Sequence, residues 1–188
     1  NIVAENIKST GSTQLALITE YQKEKIRTSN NNSQYILFAF STMYEKLIED
    51  EIGFLFYLKD ILRLNNLDFK IFVRAYPNVT NNDIYQSLIN DDAFIFFDPT
   101  GNKLGDWESI NLKYEQIENA IAFFHFGTTL GLEASFFDPP VFLIDFYDYA
   151  KNLSGPLSLK KFVHQYQNDK YLNNANSPNV ISREEQLL

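Results

Sequence analysis

The sequence predicts an α/β protein with a Rossmann-like, doubly wound parallel sheet. Short apolar runs rich in β-branched and aromatic residues recur along the chain, and helical patterns separate them. The chain has 188 residues, of which 45% are hydrophobic and 15% aromatic, a composition typical of one folded domain. Because crossovers between parallel strands are right-handed, we expect helices on both faces and ligands beyond the carboxyl ends of the strands.

The predicted strands are apolar runs that end in polar or turn residues. Each run has the length of a β-strand. Its apolar residues are continuous and do not alternate with polar ones, which is typical of a strand that is buried on both faces of the sheet. The predicted strands are residues 35–40, 69–73, 93–97, 121–126 and 141–146.

The predicted helices fill the intervals between these runs. After the first run, apolar residues recur at spacings of three and four, which predicts one amphipathic crossover helix. These residues are Ile48, Ile52, Leu55, Leu58 and Leu62. The second crossover is expected over residues 82–89 and the third over 113–120. The fourth begins at Thr128 and ends before the prolines at 139 and 140, which cannot continue a helix.

The residue patterns at the two ends of the chain differ from the pattern at its centre. Residues 1–33 combine a short apolar stretch with a polar run over 28–33, which predicts an entry segment or linker that packs on the outside of a domain spanning residues 34–188 or leads to a partner domain. Near the other end, we expect a helix around residues 159–167 and a capped helix start at Ser182.

Charge and composition exclude several classes of function. The net charge of −8 and the pI of about 4.7 leave no broad basic surface for nucleic acid, although a small phosphorylated ligand remains possible. The absence of cysteine removes disulfides and thiolate chemistry and fits a cytoplasmic protein. Two histidines make a histidine-built metal site improbable. We see no membrane span and no signal peptide.

The most informative segment runs from a buried strand through a tight turn into a helix. Residues 123–126 are followed by Gly127, Thr128 and Thr129, where the N–H groups of a helix amino terminus are expected to face a diphosphate. Glu133 lies one turn after Thr129, within reach of ribose hydroxyls. The alternative is that a threonine only caps the helix and that Glu133 is a solvated carboxylate. The pattern alone does not separate these interpretations.

This segment resembles the donor-binding motif of GT-B glycosyltransferases. Residues 126–134 read Phe-Gly-Thr-Thr-Leu-Gly-Leu-Glu-Ala and Pro140-Val141 follow, which is similar to the family's Ser/Gly-Ser/Thr-Thr, Glu-Ala and Pro-Val pattern. Residues 72–77 resemble the strand ending Arg-Pro-His-Pro of bacterial transferases for surface polysaccharides and glycolipids. Residues 98–101 and Trp107 resemble their Asp-Pro-Ser/Thr-Gly and Trp loop. Ala75 and Tyr76 depart from the pattern, so no role of the family's histidine carries over.

The resemblance implies a donor half that transfers a sugar from a nucleoside diphosphate to an acceptor hydroxyl without a bound metal or other cofactor. It implies that the acceptor site and catalytic base lie on an amino-terminal partner domain, so the isolated domain is expected to be inactive. Through that domain, the protein is expected at the inner membrane face as a peripheral protein. The residues that it implies for the diphosphate are Gly127, Thr128 and Thr129, and it implies Glu133 for the ribose.

By their positions at the carboxyl ends of strands, we expect Arg74 to be the cationic partner of the phosphate or the donor sugar, and Ser41 and Thr42 to be further donors to phosphate oxygens. The loop with Asp98, Thr100 and Gly101 is expected beside the base because it leaves the third strand. The alternatives are a surface arginine at position 74 and a turn or helix cap at Ser41 and Thr42.

Other functions and roles stay open at this point. The same fold serves nucleotide-sugar epimerases, and a non-enzymatic interaction domain needs only a helix cap at Thr128. For His125 and Trp107, we expect a hydrogen-bonded core residue and a packing residue. We interpret Asp145 and Asp148 as loop carboxylates, since no third metal ligand is in view.

Overall fold

The described residues of the computed structural model form one parallel sheet of six strands. The structure describes residues 12–25, 35–77, 79, 82–99, 106–144 and 180–181. The strand order is β3-β2-β1-β4-β5-β6, and every neighbouring pair is parallel. The strands are β1 Tyr35–Ala39, β2 Lys70–Arg74, β3 Phe94–Phe97, β4 Ala120–His125, β5 Val141–Ile144 and β6 Val180–Ile181. The predicted Rossmann-like, doubly wound fold is confirmed, and the five predicted runs form β1 to β5.

Helices occupy the predicted crossovers. The helices are α1 Thr13–Lys25, α2 Glu45–Leu64, α3 Gln86–Ile89, α4 Trp107–Glu118 and α5 Thr129–Ala134, and a 3₁₀ turn over Asn82–Tyr85 leads into α3. Within the described ranges, no helix combines the length and the apolar character needed to cross a membrane.

The third crossover helix differs from its prediction at both ends. It was expected over residues 113–120, but it begins at Trp107 and ends at Glu118. Its start is set by Asp106, whose side chain accepts a hydrogen bond from Ser109 N at 2.7 Å. Ala120, the last residue of the expected helix, opens β4.

The sheet separates two apolar layers because successive strand residues point to opposite faces. In β1, Ile36 and Phe38 pack with α2 and the 3₁₀ turn, whereas Leu37 and Ala39 pack with α1, α4 and α5. Glu51 lies in α2 among the buried residues of the first layer and is itself 0% exposed. The core is therefore doubly wound, with the site-bearing loops at the carboxyl ends of the strands.

Part of the segment expected as a linker forms α1. Ile18 and Tyr21 are buried in the second layer, and the Tyr21 hydroxyl donates to Glu118 of α4 at 2.8 Å. Gln22 donates to the carbonyl of Phe136 at 3.1 Å. This helix thus packs on the domain. The other residues of 1–33, the helix expected at 159–167 and the start expected at Ser182 lie outside the described residues.

Candidate functional site

The strand order places a topological switch point between β1 and β4. From β1 the chain winds outward to β2 and β3, then returns to β4 on the other side of β1. Doubly wound sheets bind ligands at this switch point, outside the carboxyl ends of the strands. Ala39 pairs with His125, so Ser41 and Gly127, each two residues farther on, leave the sheet at the same level. The two expected diphosphate segments, after β1 and after β4, therefore flank one crevice.

The turn after β4 depends on a glycine and a buried histidine. Gly127 has φ +114°, a conformation that L side chains rarely adopt. His125 Nδ1 accepts hydrogen bonds from Gly127 N at 3.0 Å and from Thr128 N at 3.2 Å. Burial lowers the pKa of His125 to about 3, so the imidazole is neutral. Because Nδ1 accepts, its proton is on Nε2.

These hydrogen bonds correct one expectation from the sequence. The N–H groups of Gly127 and Thr128 were expected to be free for a diphosphate, but both donate to His125. A buried imidazole with an unused acceptor is costly, and the adjacent turn supplies its donors. The expected core role of His125 is confirmed, since it is 1% exposed and hydrogen-bonded.

The ring of His125 also lies against α5. A Cβ atom at Gly131 would stand 2.4 Å from Cε1 and Nε2 of that ring. Only a residue without a side chain leaves room for the histidine there. His125 therefore joins β4, the turn and α5 into one unit.

Thr128 and Thr129 have different environments at the start of α5. Thr128 is the N-cap, with its Oγ1 accepting from Leu130 N at 3.4 Å, and it is buried. Thr129 is the first helical residue and is exposed. In the described part of the chain, we find no acceptor for the Thr129 N–H. Thr129 thus carries the available donor of this turn.

Glu133 lies in α5, and its side chain contacts α4. Its Oε2 accepts from Lys113 Nζ at 2.5 Å, and the two side chains are 14% and 20% exposed. The pKa of Tyr114 is raised by burial and by the charge of Glu133. Glu133 is therefore neither a solvated carboxylate nor an unpaired one. A carboxylate has more than one acceptor position, so a ribose hydroxyl can share it with Lys113.

Arg74, the last residue of β2, makes its contacts on the α4 side of the sheet. It donates to Gln116 Oε1 at 2.5 Å, and its guanidinium carbon lies 5.0 Å from the centre of the Phe97 ring. Burial lowers the pKa of Arg74 to about 10, and the charge of Glu133 opposes this shift. The guanidinium remains charged at pH 7. Arg74, Glu133 and Lys113 form a charge cluster beside α4, one strand away from the switch point.

Ser41 is held by a residue that sequence reasoning missed. Its N–H donates to both carboxylate oxygens of Glu51 at 3.2 Å, and its hydroxyl donates to Oε1. Glu51 lies in the buried stripe of α2 with Leu47, Ile48, Phe54 and Leu55. A single carboxylate within an apolar stripe can be recognised in the sequence. It indicates a polar partner nearby, because a buried charge requires one.

Thr42 has a local role in the loop after β1. Its Oγ1 accepts from Tyr44 N at 3.1 Å, and the side chain is buried. This is the turn role that the sequence offered as the alternative to phosphate binding. Thr42 orders the loop in which Ser41 lies.

The base-side loop is described only where it begins. Asp98 follows β3 and is half-buried, whereas Thr100, Gly101, Asp145, Asp148 and His164 lie outside the described residues.

Trp107 packs against the second layer and donates to Glu24 Oε2 at 3.2 Å, which confirms a packing role. Among the described residues, no group of three His, Cys, Asp or Glu side chains could hold a metal ion.

Comparison with known proteins finds similarity at the level of structure. No family model matches the chain, and no curated protein matches it. The crystal structure of Methanocaldococcus jannaschii UDP-GlcNAc 2-epimerase, in complex with UDP-GlcNAc and UDP, is similar with a TM-score of 0.53 and 14% identity. The match covers 80% of this chain and 42% of the epimerase chain.

The shared feature is the Rossmann-like fold. At 14% identity the likeness shows the architecture and carries no residue roles. This chain spans 42% of the length of that protein, so the activity of a complete protein is a separate question.

Proposed function

We propose that this domain binds a nucleoside diphosphate sugar and forms the donor half of a glycosyltransferase of bacterial surface glycan synthesis. The observation that carries the proposal is the unit formed by β4, the Gly127 turn and α5 at the switch point. It bears the motif that resembles GT-B enzymes in the crevice where doubly wound sheets bind ligands.

The proposed donor site has the diphosphate at the turn and the nucleoside along α5. Gly127 has no side chain to block the phosphates, and Thr129 offers its N–H and an exposed hydroxyl. Thr128 shapes the helix start as its cap. Donors aimed at the leaving diphosphate stabilise the charge that develops in transfer. The reaction so proposed uses no metal ion or other cofactor.

The charge cluster beside α4 completes the proposed site. Glu133 accepts from a ribose hydroxyl while it keeps Lys113, and Arg74 adds positive charge on the phosphate side. Asp98, with Thr100 and Gly101, borders the base by its position after β3. The solved UDP-GlcNAc 2-epimerase supports the proposal because a protein of this fold binds UDP and UDP-GlcNAc.

The proposed partner is an amino-terminal domain that holds the acceptor and the catalytic base. The match to only 42% of the epimerase chain agrees with a larger whole. We propose a cytoplasmic protein that associates peripherally with the inner membrane face through that domain. The domain alone should bind nucleotide and turn over no substrate.

A nucleotide-sugar epimerase is the second candidate, and its support is the structural likeness itself. Both candidates require nucleotide binding, whereas a non-enzymatic interaction domain does not. Incubation of a complete two-domain protein with UDP-GlcNAc separates the two enzymes. An epimerised nucleotide sugar without acceptor favours the epimerase, and transfer that requires an acceptor favours the transferase.

Titration calorimetry of this chain with UDP, GDP, CDP and UDP-GlcNAc tests the binding. We expect one base to be preferred and Thr129→Ala to weaken binding about 3- to 10-fold, the effect of losing one hydrogen bond. Ser135→Ala, just beyond the other end of α5, is the matched control and should bind as the wild type does. A wild-type chain that binds none of the four compounds at millimolar concentration contradicts the proposal.

A further inference from the structure

Gln116 is a buried polar residue of α4 and the hydrogen-bond partner of Arg74. It is 7% exposed, and its Oε1 accepts from Arg74 Nη1 at 2.5 Å. Because a guanidinium can only donate, the oxygen of the amide must face it. The main-chain carbonyl of Gln116 accepts from the Tyr35 hydroxyl at 2.7 Å, which ties this turn of α4 to β1. Gln116 therefore meets Arg74 from a fixed position.

The charges around Arg74 leave its own charge uncancelled. Glu133 is the charged group that acts on the pKa of Arg74, but its carboxylate already binds Lys113 at 2.5 Å. The side chain that accepts from the guanidinium is a neutral amide. A carboxylate at that position would compensate the partly buried charge, as buried charges usually require. A neutral partner holds the guanidinium and leaves its charge available for an anion.

One face of α4 holds both charged residues that the proposed donor site uses. Lys113 and Gln116 are three residues apart in the helix, so their side chains lie on the same face. Lys113 binds Glu133, the proposed ribose contact, and Gln116 binds Arg74. The helix that flanks the site therefore supports each of them through a separate polar contact.

We propose that Gln116 is a positioning residue, which holds the Arg74 guanidinium for the diphosphate without neutralising it. This inference rests on the proposed function, because it requires a diphosphate that Arg74 contacts. The side chain of Arg74 has five N–H groups, and within the described ranges their one acceptor is Gln116 Oε1. The remaining N–H groups can donate to phosphate oxygens, a pairing that suits the planar guanidinium.

A double-mutant cycle tests whether Gln116 acts through Arg74. Calorimetry with this chain measures the affinities of UDP, GDP and CDP for the wild type, Gln116→Met, Arg74→Gln and the double variant. For the preferred diphosphate, Arg74→Gln should weaken binding about 10-fold or more, and Gln116→Met about 3- to 10-fold. In the Arg74→Gln background, Gln116→Met should have no further effect, because the residue that it positions is absent.

Gln116→Glu separates the charge from the contact. The carboxylate still accepts from Arg74 but cancels its charge, so the diphosphate should bind at least as weakly as it does to Gln116→Met. A purely structural role predicts the opposite result, since the contact with Arg74 is kept. Gln86→Met makes the same substitution at an exposed position of α3 and should bind as the wild type does. Circular dichroism shows whether each variant is folded, and Gln116→Glu answers the question if Gln116→Met is not.

The outcomes distinguish the two proposals. An equal loss from Gln116→Met with and without Arg74 shows a structural role, and wild-type affinity in Gln116→Met or Gln116→Glu shows that binding does not depend on this contact or on the charge. Unchanged affinity in Arg74→Gln shows that Arg74 does not contact the diphosphate. Each of these results overturns the inference and leaves the proposed function standing. A wild-type chain that binds none of the three diphosphates overturns both.

Discussion

His125 is the residue that organises the turn after β4. It is neutral and buried, it accepts two backbone hydrogen bonds, and its ring occupies the space beside Gly131. The turn therefore keeps its shape without a ligand. Preorganisation of this kind reduces the entropy that a ligand must overcome on binding.

Gly131→Ala should destabilise the protein strongly. The new Cβ would lie 2.4 Å from two ring atoms of His125, which is a ring in a packed core and not the end of a flexible chain. Overpacking of this kind costs about 1–3 kcal/mol. Urea denaturation measures the loss, with Ser135→Ala as the control, expected within about 0.5 kcal/mol of wild type. A Gly131→Ala variant as stable as wild type would show that the ring can move aside.

Glu133 and Lys113 provide a matched pair for the ribose contact. Glu133→Ala removes both the ion pair and the proposed acceptor, so nucleotide affinity should fall by about 1.5–3 kcal/mol. Glu133→Gln keeps an acceptor and should cost less affinity. Lys113→Gln removes the ion pair only and should leave most of the affinity while lowering the stability. Calorimetry with the preferred nucleotide measures the affinities.

The outcome that contradicts the ribose contact is equally specific. If Glu133→Ala and Lys113→Gln bind nucleotide as tightly as wild type, with similar losses of stability, Glu133 acts only as the partner of Lys113. The donor site would then depend on Thr129 and Arg74.

At the scale of elements, α4 shows how a cap sets a helix start. Trp107 and Ile110, in the first turn of α4, continue the apolar spacing to Tyr114 and pack in the second layer, but such spacing alone does not mark the residue at which a helix begins. Asp106 supplies that information, and Glu108 adds a favourable negative charge near the amino terminus. The start determines how far α4 extends along the sheet toward the crevice.

Asp106→Ala should lower the free energy of unfolding by about 0.5–2 kcal/mol, the usual cost of losing a cap. Asp106→Asn keeps an oxygen that can accept from Ser109 N and should recover most of the stability. Thermal unfolding followed by circular dichroism measures both variants. Equal losses for alanine and asparagine would indicate that the charge of Asp106, and not its cap hydrogen bond, stabilises α4.

At the scale of the whole molecule, the stability should depend on pH through His125. Its pKa is lowered from 6.5 to about 3 in the folded protein, so below pH 6.5 the unfolded chain binds a proton that the folded one does not. The free energy of unfolding should therefore be highest above pH 6.5 and fall below it, by at most about 1.4 kcal/mol per pH unit. Asp91 has a lowered pKa because of Lys59, and it adds a further loss near and below pH 3.8.

Urea denaturation between pH 5 and 7 isolates the histidine, since ordinary carboxylates titrate lower. His125→Asn should show a smaller slope in this range than wild type, whatever its absolute stability. His164→Gln removes the other histidine and is the control. Parallel pH profiles for wild type and His125→Asn would mean that His125 does not retain its neutral form on folding.

The sequence by itself determined the fold class, the strands β1 to β5 and the turn at Gly127. Buried strands are short continuous apolar runs, amphipathic helices have a local period, and a glycine between a strand and a helix marks a tight turn. The motif over residues 126–134 also identified the loop after β4 as the candidate ligand site. Each of these features is determined by residues that are close together in the sequence.

Only the tertiary structure decided the contacts of the site residues. Lys113 and Glu133 are 20 residues apart, and Arg74 and Gln116 are 42 apart. The position of Glu51 beneath Ser41 depends on how α2 packs against β1, and the hydrogen bonds of His125 depend on its rotamer. No local pattern contains these pairings, because they arise when the sheet brings distant segments together and buried polar groups take the nearest available partners.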